Sequence, residues 1–354
     1  MSDDLFIPYR DAMADQAASL DAVVARVTGQ LPAAAELLRA SRPVFTGIGA
    51  SLAAAAAPVH TLRTRGVPAH RVGVGDLPAG GPALGDAVVA VSQSGRSAET
   101  VAVQAALHGR GDVLTAAVVN VPSSPVTQVS QVAVDLGAQR DSKASTIGFT
   151  GTLAALGLLA DAWDAPVAAQ ADQWARLGSV LAEFDSALGP TVEQAADLIG
   201  AAVCLDVAGE QAGVAAAESG ALLLREVSRI PATAFELRNY LHGPTESAHP
   251  TGAERVTGHL LVGGPRSAEL AQQLAGFGAP VVLLADSSVG AGTVPGVLVI
   301  ELPALPEAQR AVVATVVMQR LSLELADRAG HDPDEFVFSS ADTKVDTAVP
   351  SGSR

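Results

Sequence analysis

The residues most able to do chemistry lie at 88–100, which read VVAVSQSGRSAET. A buried strand runs into a hydroxyl-rich turn and then into a helix. Ser92, Gln93, Ser94 and Ser97 put four hydroxyl or amide side chains into six positions directly after the apolar run. The unpaired amides from Gly95 to Ala98 open the helix, where its dipole is positive. A phosphate is the natural occupant of such a turn. Gly95 allows close approach of the backbone, and Arg96 adds charge.

Two other segments are expected to converge there. Gly47-Ile48-Gly49-Ala50-Ser51 follows the first strand and so shares the carboxyl edge of the sheet, where open α/β sheets bind ligands. Lys143-Ala144-Ser145-Thr146 precedes the helix at Phe149 and is placed to close the pocket. The GxGxS pattern lacks the third glycine and the later acidic residue of a dinucleotide fingerprint, so no cofactor is expected. Only two lysines occur, Lys143 and Lys344; every other basic residue is arginine. Arginine cannot replace a lysine that must act as a free amine, so each of the two poses a chemical question.

The elements that must position these groups follow from periodicity. Residues 11–40 read as helices broken near Gly29 and Pro32. Short apolar strands then alternate with helices of ten to fifteen residues, which indicates βαβ units and a mainly parallel sheet. Strands are expected at 43–47, 69–74, 86–91, 113–120 and 132–136, and the pattern recurs at 201–207, 259–262, 281–285 and 297–301. Helices at 166–199 join the halves, with Pro190 expected at the start of the second. The domains are therefore 1–40 (N-terminal helices), 41–165, 166–199 (connecting helices), 200–330 and a tail at 331–354 that closes over the site.

Composition bounds the class. Apolar residues are 49% and aromatics 3%, so the cores are built from Ala, Val and Leu. A net charge of −15 with no basic run argues against nucleic acid or an anionic membrane. No apolar run reaches the ~18 residues of a spanning helix, and the N-terminus lacks a signal pattern. The expectation is a cytoplasmic protein. Cys204 stands alone in an apolar run, which favours a core role, and no metal-ligand spacing occurs, so no metal is expected.

Gly-x-Gly-x-Ser at 47–51, Ser-Gln-Ser-Gly-x-Ser at 92–97 and Ala-Ser-Thr-x-x-Phe-Thr at 144–150, in that order, resemble the double sugar-isomerase (SIS) domain family. Nearly the whole chain is similar to the isomerase half of glucosamine-6-phosphate synthase and to related phosphosugar isomerases and deaminases. The resemblance implies two flavodoxin-like, nucleotide-fold-like parallel-sheet domains in tandem. It implies phosphosugar binding by Gly49, Ala50, Ser51, Ser92, Gln93, Ser94, Gly95, Ser97, Lys143 and Ser145. Ala221–Glu226 resembles the family helix whose glutamate shuttles a proton, and Leu241-His242-Gly243-Pro244 resembles the turn whose histidine opens the sugar ring. Lys344 resembles the C-terminal lysine that forms an imine with an open ketose. A homodimer with shared active sites is implied as well.

The chemistry suits these residue types. Moving a carbonyl between C1 and C2 needs a base near neutrality, which a shielded carboxylate supplies. Ring opening suits histidine, and an amine can convert the ketone to an imine. The chain departs from the family pattern at Leu223, where the helix carries a second lysine, at Ile147, and in its looser tail. Without a glutaminase domain, the reading is a phosphosugar isomerase or deaminase acting on an amino-sugar phosphate of the glucosamine-6-phosphate/fructose-6-phosphate type. The alternatives are a fructosamine-6-phosphate deglycase, suggested by His242-Gly-Pro-Thr-Glu246, and a non-catalytic sugar-phosphate sensor or regulatory subunit.

Overall fold

The computed structural model describes residues 5–78, 80–163, 167–249, 256–289, 294–338 and 343–345. The chain divides into two compact units. Unit 1 comprises residues 1–178 together with 337–354, and unit 2 comprises residues 179–336.

Unit 1 is built on β1 (Pro43–Gly47), β2 (His70–Gly73), β3 (Ala87–Ser92), β4 (Leu114–Val119) and β5 (Val132–Asp135), all parallel, in the order β2-β1-β3-β4-β5. Strands β1 and β3 are buried along their full length. This explains why both read as continuous apolar runs rather than alternating ones. The order reverses between β1 and β3, so the loops leaving these two strands flank the switch point of the sheet, where α/β folds hold ligands.

The first helix, Tyr9–Gln30, belongs to unit 1 rather than forming a segment of its own. Its buried face includes Ala12, Gln16, Leu20, Val23 and Val27 at helical spacing. That face meets the wholly buried helix Ile147–Asp161, where Thr150 Oγ1 donates to Gln16 Oε1 at 3.0 Å. Pro58 falls at the third residue of the helix Ala56–Thr64, after a break at Ala55, where its missing N–H costs little.

Unit 2 repeats the plan with β6 (Cys204–Gly209), β7 (Ala232–Glu236), β8 (Thr257–Val262), β9 (Val281–Ala285) and β10 (Val297–Glu301). Its order, β10-β9-β8-β6-β7, is the order of unit 1 read from the other edge. Strand β7 is absent from the sequence expectation. It is an edge strand buried only at Ala232, so its apolar signal is weak. Pro190 does not start a helix; it lies inside Leu177–Ile199, which continues through the loss of one backbone donor. Cys204 is half-buried at the start of β6, with Sγ 3.5 Å from Thr257 Oγ1. Of the tail, residues 339–342 and 346–354 lie outside the described residues.

Candidate active site

The turn after β3 is organised by its own serines. Ser92 Oγ accepts from the Gly95 amide at 3.1 Å, and Ser94 Oγ accepts from the Arg96 amide at 3.3 Å. Gly95 takes φ +63°, and a Cβ there would overlap Ser124 Oγ, so only glycine fits. Ser97 is the N-cap of Ala98–Arg110 without a side-chain cap bond.

Beside this turn lies a cavity of about 530 Å3, its open mouth included, built wholly from unit 1. Ala50 and Ser51 reach it from the first turn of the helix Ala50–Ala54 that follows β1, Gln93 from the β3 turn, Lys143 and Ser145 from the third loop, and Lys344 from the tail. The three segments singled out from the sequence thus meet at one place. Ser92, Ser94, Gly95, Ser97 and Gly49 shape the surrounding turns and do not line the cavity. The two lysines of the chain both line it.

Lys344 arrives there through backbone pairing. It forms an isolated antiparallel bridge with Ser97; the Val345 amide donates to Arg96 O at 2.9 Å, and Arg96 Nε donates back to Val345 O at 2.9 Å. Val345 packs on the cluster of Ala90, Val101, Ala117, Val119 and Val126. Arg96 therefore anchors Lys344 and Val345.

Asp141, which belongs to none of the three sequence motifs, joins them in the cavity. It is fully buried, lines the cavity, and accepts from Ser145 Oγ at 2.7 Å, the Thr146 amide at 2.9 Å, Thr146 Oγ1 at 3.1 Å and Gln93 Nε2 at 3.4 Å. Burial pushes its carboxyl pKa up, and these hydrogen bonds oppose the shift. An acidic residue four positions before Ser145 was the available signal, but one carboxylate near a loop is common. Phe6 and Phe149 also line the cavity.

In unit 2, Glu226 ends the helix Gly213–Glu226. Its half-buried carboxyl has no hydrogen bond or ion pair among the described residues, and burial pushes its pKa up to about 7. Leu223, one turn earlier, is 2% exposed and belongs to the core. His242 is exposed on the turn between Leu237–Tyr240 and Pro244–Ala248. A buried network flanks that turn. Tyr240 Oη donates to Asp206 Oδ2 at 3.1 Å, Ser247 Oγ donates to the same oxygen at 3.3 Å, and His259 Nε2 lies 2.8 Å from Tyr240 Oη. Burial raises the pKa of Asp206 and lowers that of His259 to about 4.

The matching sheet edge of unit 2 carries a carboxyl side chain of its own beside a second cavity, lined among others by Glu210, Gly263, Asp286 and Arg310. Glu210 Oε1 accepts from the Ser267 amide at 2.7 Å and from Ser267 Oγ at 2.5 Å, at the start of the helix Pro265–Gly276. Among the described residues, no group of three His, Cys, Asp or Glu side chains could hold a metal ion, and no helix is long and apolar enough to cross a membrane.

Known proteins share this architecture. Glutamine–fructose-6-phosphate aminotransferase (isomerizing) of Pseudomonas putida is 29% identical over 259 residues, which cover 70% of this chain and 42% of that protein. The chain thus spans about two fifths of the curated relative. The C-terminal domain of glucosamine-fructose-6-phosphate aminotransferase from Francisella tularensis superposes with a TM-score of 0.82 at 21% identity, covering 95% of this chain and 100% of that one. Glucosamine-6-phosphate deaminase from Thermotoga maritima gives a TM-score of 0.70 at 18% identity, covering 92% and 96%. At such identities the two structures establish the fold, an α/β arrangement of two parallel five-stranded sheets. Residues 36–162, which carry Ser51, Gln93, Lys143 and Ser145, match the SIS domain family.

Proposed function

We propose that the protein is a phosphosugar isomerase or deaminase acting on an amino-sugar phosphate. The observation that carries this reading is the placement of the chain's two lysines, Lys143 and Lys344, in one cavity with Ser51, Gln93 and Ser145. Hydroxyls, an amide and two ammonium groups make a site for a polyhydroxylated anion inside a chain of net charge −15. The relatives' names point to 6-phosphosugars as the substrate class.

Glu226 is the proton-moving base in this reading. A carboxyl poised at about 7 exists in both protonation states at neutral pH, as abstraction and return of one proton require. His242 opens the ring, and Lys344 supplies the amine that forms an imine with the open ketose, releasing water. Incubation with glucosamine 6-phosphate, assayed for ammonia and fructose 6-phosphate, tests the reading. Turnover that survives Glu226→Gln, or no turnover of any hexosamine or hexose 6-phosphate, would sink it.

The turn His242-Gly-Pro-Thr-Glu246, together with the core residue Leu223 in place of a lysine, supports a second reading in which ordinary ketose–aldose isomerisation is lost and the same site frees an amine, as in a fructosamine-6-phosphate deglycase. A fructosamine 6-phosphate in the substrate panel separates the two. Stabilisation by phosphosugar without any product would mark a sensor instead.

The proposed assembly is a homodimer with shared sites, supported by the exposed, outward turn of His242. Mixing inactive Glu226→Gln with inactive His242→Ala protein should then restore activity, because one site of each mixed dimer regains both groups. Two separate sites per dimer would give none.

A further inference from the structure

The geometry points to Phe6 as the wall that recognises the sugar itself, as distinct from its phosphate. The inference rests on the reading of the unit 1 cavity as a phosphosugar site. Most of the side chains lining that cavity are polar or charged; Phe6 and Phe149 are its aromatic groups. Phe149 is buried at 3% exposure, whereas Phe6 is 37% exposed. Phe6 is therefore the aromatic surface still available to a ligand.

Its position is fixed from both sides. The Asp141 amide donates to Leu5 O at 2.9 Å and the Ile7 amide donates to Asp141 O at 3.1 Å, pairing residues 5–7 with the third loop as a short parallel bridge. Ile7 is buried against Ala12 and Ile147, and Pro8 then starts the first helix. Side chains alternate along an extended segment, so anchoring Ile7 inward turns its neighbour Phe6 to the other side, where it lines the cavity. Asp141 thus serves both ends of the site: its backbone grips the Phe6 segment, and its carboxylate holds Ser145 and Gln93.

A phosphosugar presents two chemistries. Its phosphate and hydroxyls call for donors and cations, which Gln93, Ser145, Lys143 and Lys344 provide. Its C–H faces are apolar and gain from covering an aromatic ring. An exposed ring on an anchored backbone at the lip of a polar cavity answers the second need. Phe6 therefore discriminates a sugar phosphate from a bare phosphate, and its flatness matters beyond its apolarity.

The test is calorimetric binding of glucosamine 6-phosphate and of inorganic phosphate to the full chain and to Phe6→Ala, Phe6→Leu and Phe6→Trp. Phe6→Ala should weaken glucosamine 6-phosphate about tenfold and leave inorganic phosphate unchanged. Phe6→Leu should recover part of the loss and Phe6→Trp nearly all of it. Equal losses for both ligands, or none for either, would overturn the assignment. Should Phe6→Ala not fold, Phe6→Leu matching the wild type for both ligands would overturn it equally. Wild-type protein that binds no 6-phosphosugar would defeat the reading of the cavity, an outcome visible before any variant is measured.

Discussion

Gly148 lies directly against Asp141: a Cβ at Gly148 would run into Asp141 Oδ2 and come within 3.0 Å of Ser145 Oγ and of Gln93 Cγ. The absence of a side chain at one position thus lets a buried carboxylate hold two groups of the candidate site. Gly148→Ala should push Asp141 aside at about 1–3 kcal/mol of stability, the usual cost of overpacking. It should also weaken 6-phosphosugar binding at temperatures and denaturant concentrations where the variant remains folded. Chemical denaturation together with calorimetry checks both; unchanged affinity would show that Asp141 does not position the site.

Asp141 also sets a pH dependence. Its folded-state pKa lies above the unfolded value, because burial disfavours the charge. The native state therefore keeps the proton to higher pH than the unfolded chain does. Stability from this group is fully present below the unfolded pKa of about 3.9 and is lost as pH rises through the raised folded value. Unfolding free energies across pH should show this decline, and Asp141→Asn should flatten it.

For Glu226 the folded value of about 7 predicts activity that rises as pH increases through 7, as the carboxylate becomes the base. Glu226→Gln should lower kcat by about 100- to 10,000-fold and remove that ascending limb. The same shift from 4.5 to about 7 means that Glu226 destabilises the fold progressively across that interval. Glu226→Gln should therefore be more stable than the wild type at pH 8 and nearly equal to it at pH 4.

If Lys344 forms an imine, borohydride added with fructose 6-phosphate should attach the sugar irreversibly, with mass spectrometry placing the adduct on residue 344. Lys344→Arg keeps the charge and lacks a usable amine. It should bind phosphosugar yet trap nothing. An adduct at Lys143 instead would reassign the amine.

Removing one hydroxyl with Tyr240→Phe takes a donor from Asp206 and a partner from His259, both buried. The expected cost is about 1–3 kcal/mol in denaturant unfolding. Because Tyr240 and Ser247 bracket the His242 turn, kcat should also fall more than phosphosugar affinity does.

Much of this protein was legible in its sequence because the signals are local. Strands β1, β3 and β9 are buried along their whole length and read as nearly continuous apolar runs, and the segments that leave β1 and β3 carry Ser51 and Gln93 by chain order alone. The edge strand β7, with only Ala232 buried, carries no such signal. The run of helix through Pro190 was equally illegible, since neighbouring packing outweighs one lost hydrogen bond. What only tertiary structure decided was which distant residues meet. Asp141 gained its role through burial and four donors, Phe6 through a backbone bridge to that same residue, and Lys344 through pairing with Ser97. Residue type and spacing name the groups that can do chemistry. Desolvation and long-range pairing, which no local pattern encodes, determine which of them share a cavity and at what pKa they work.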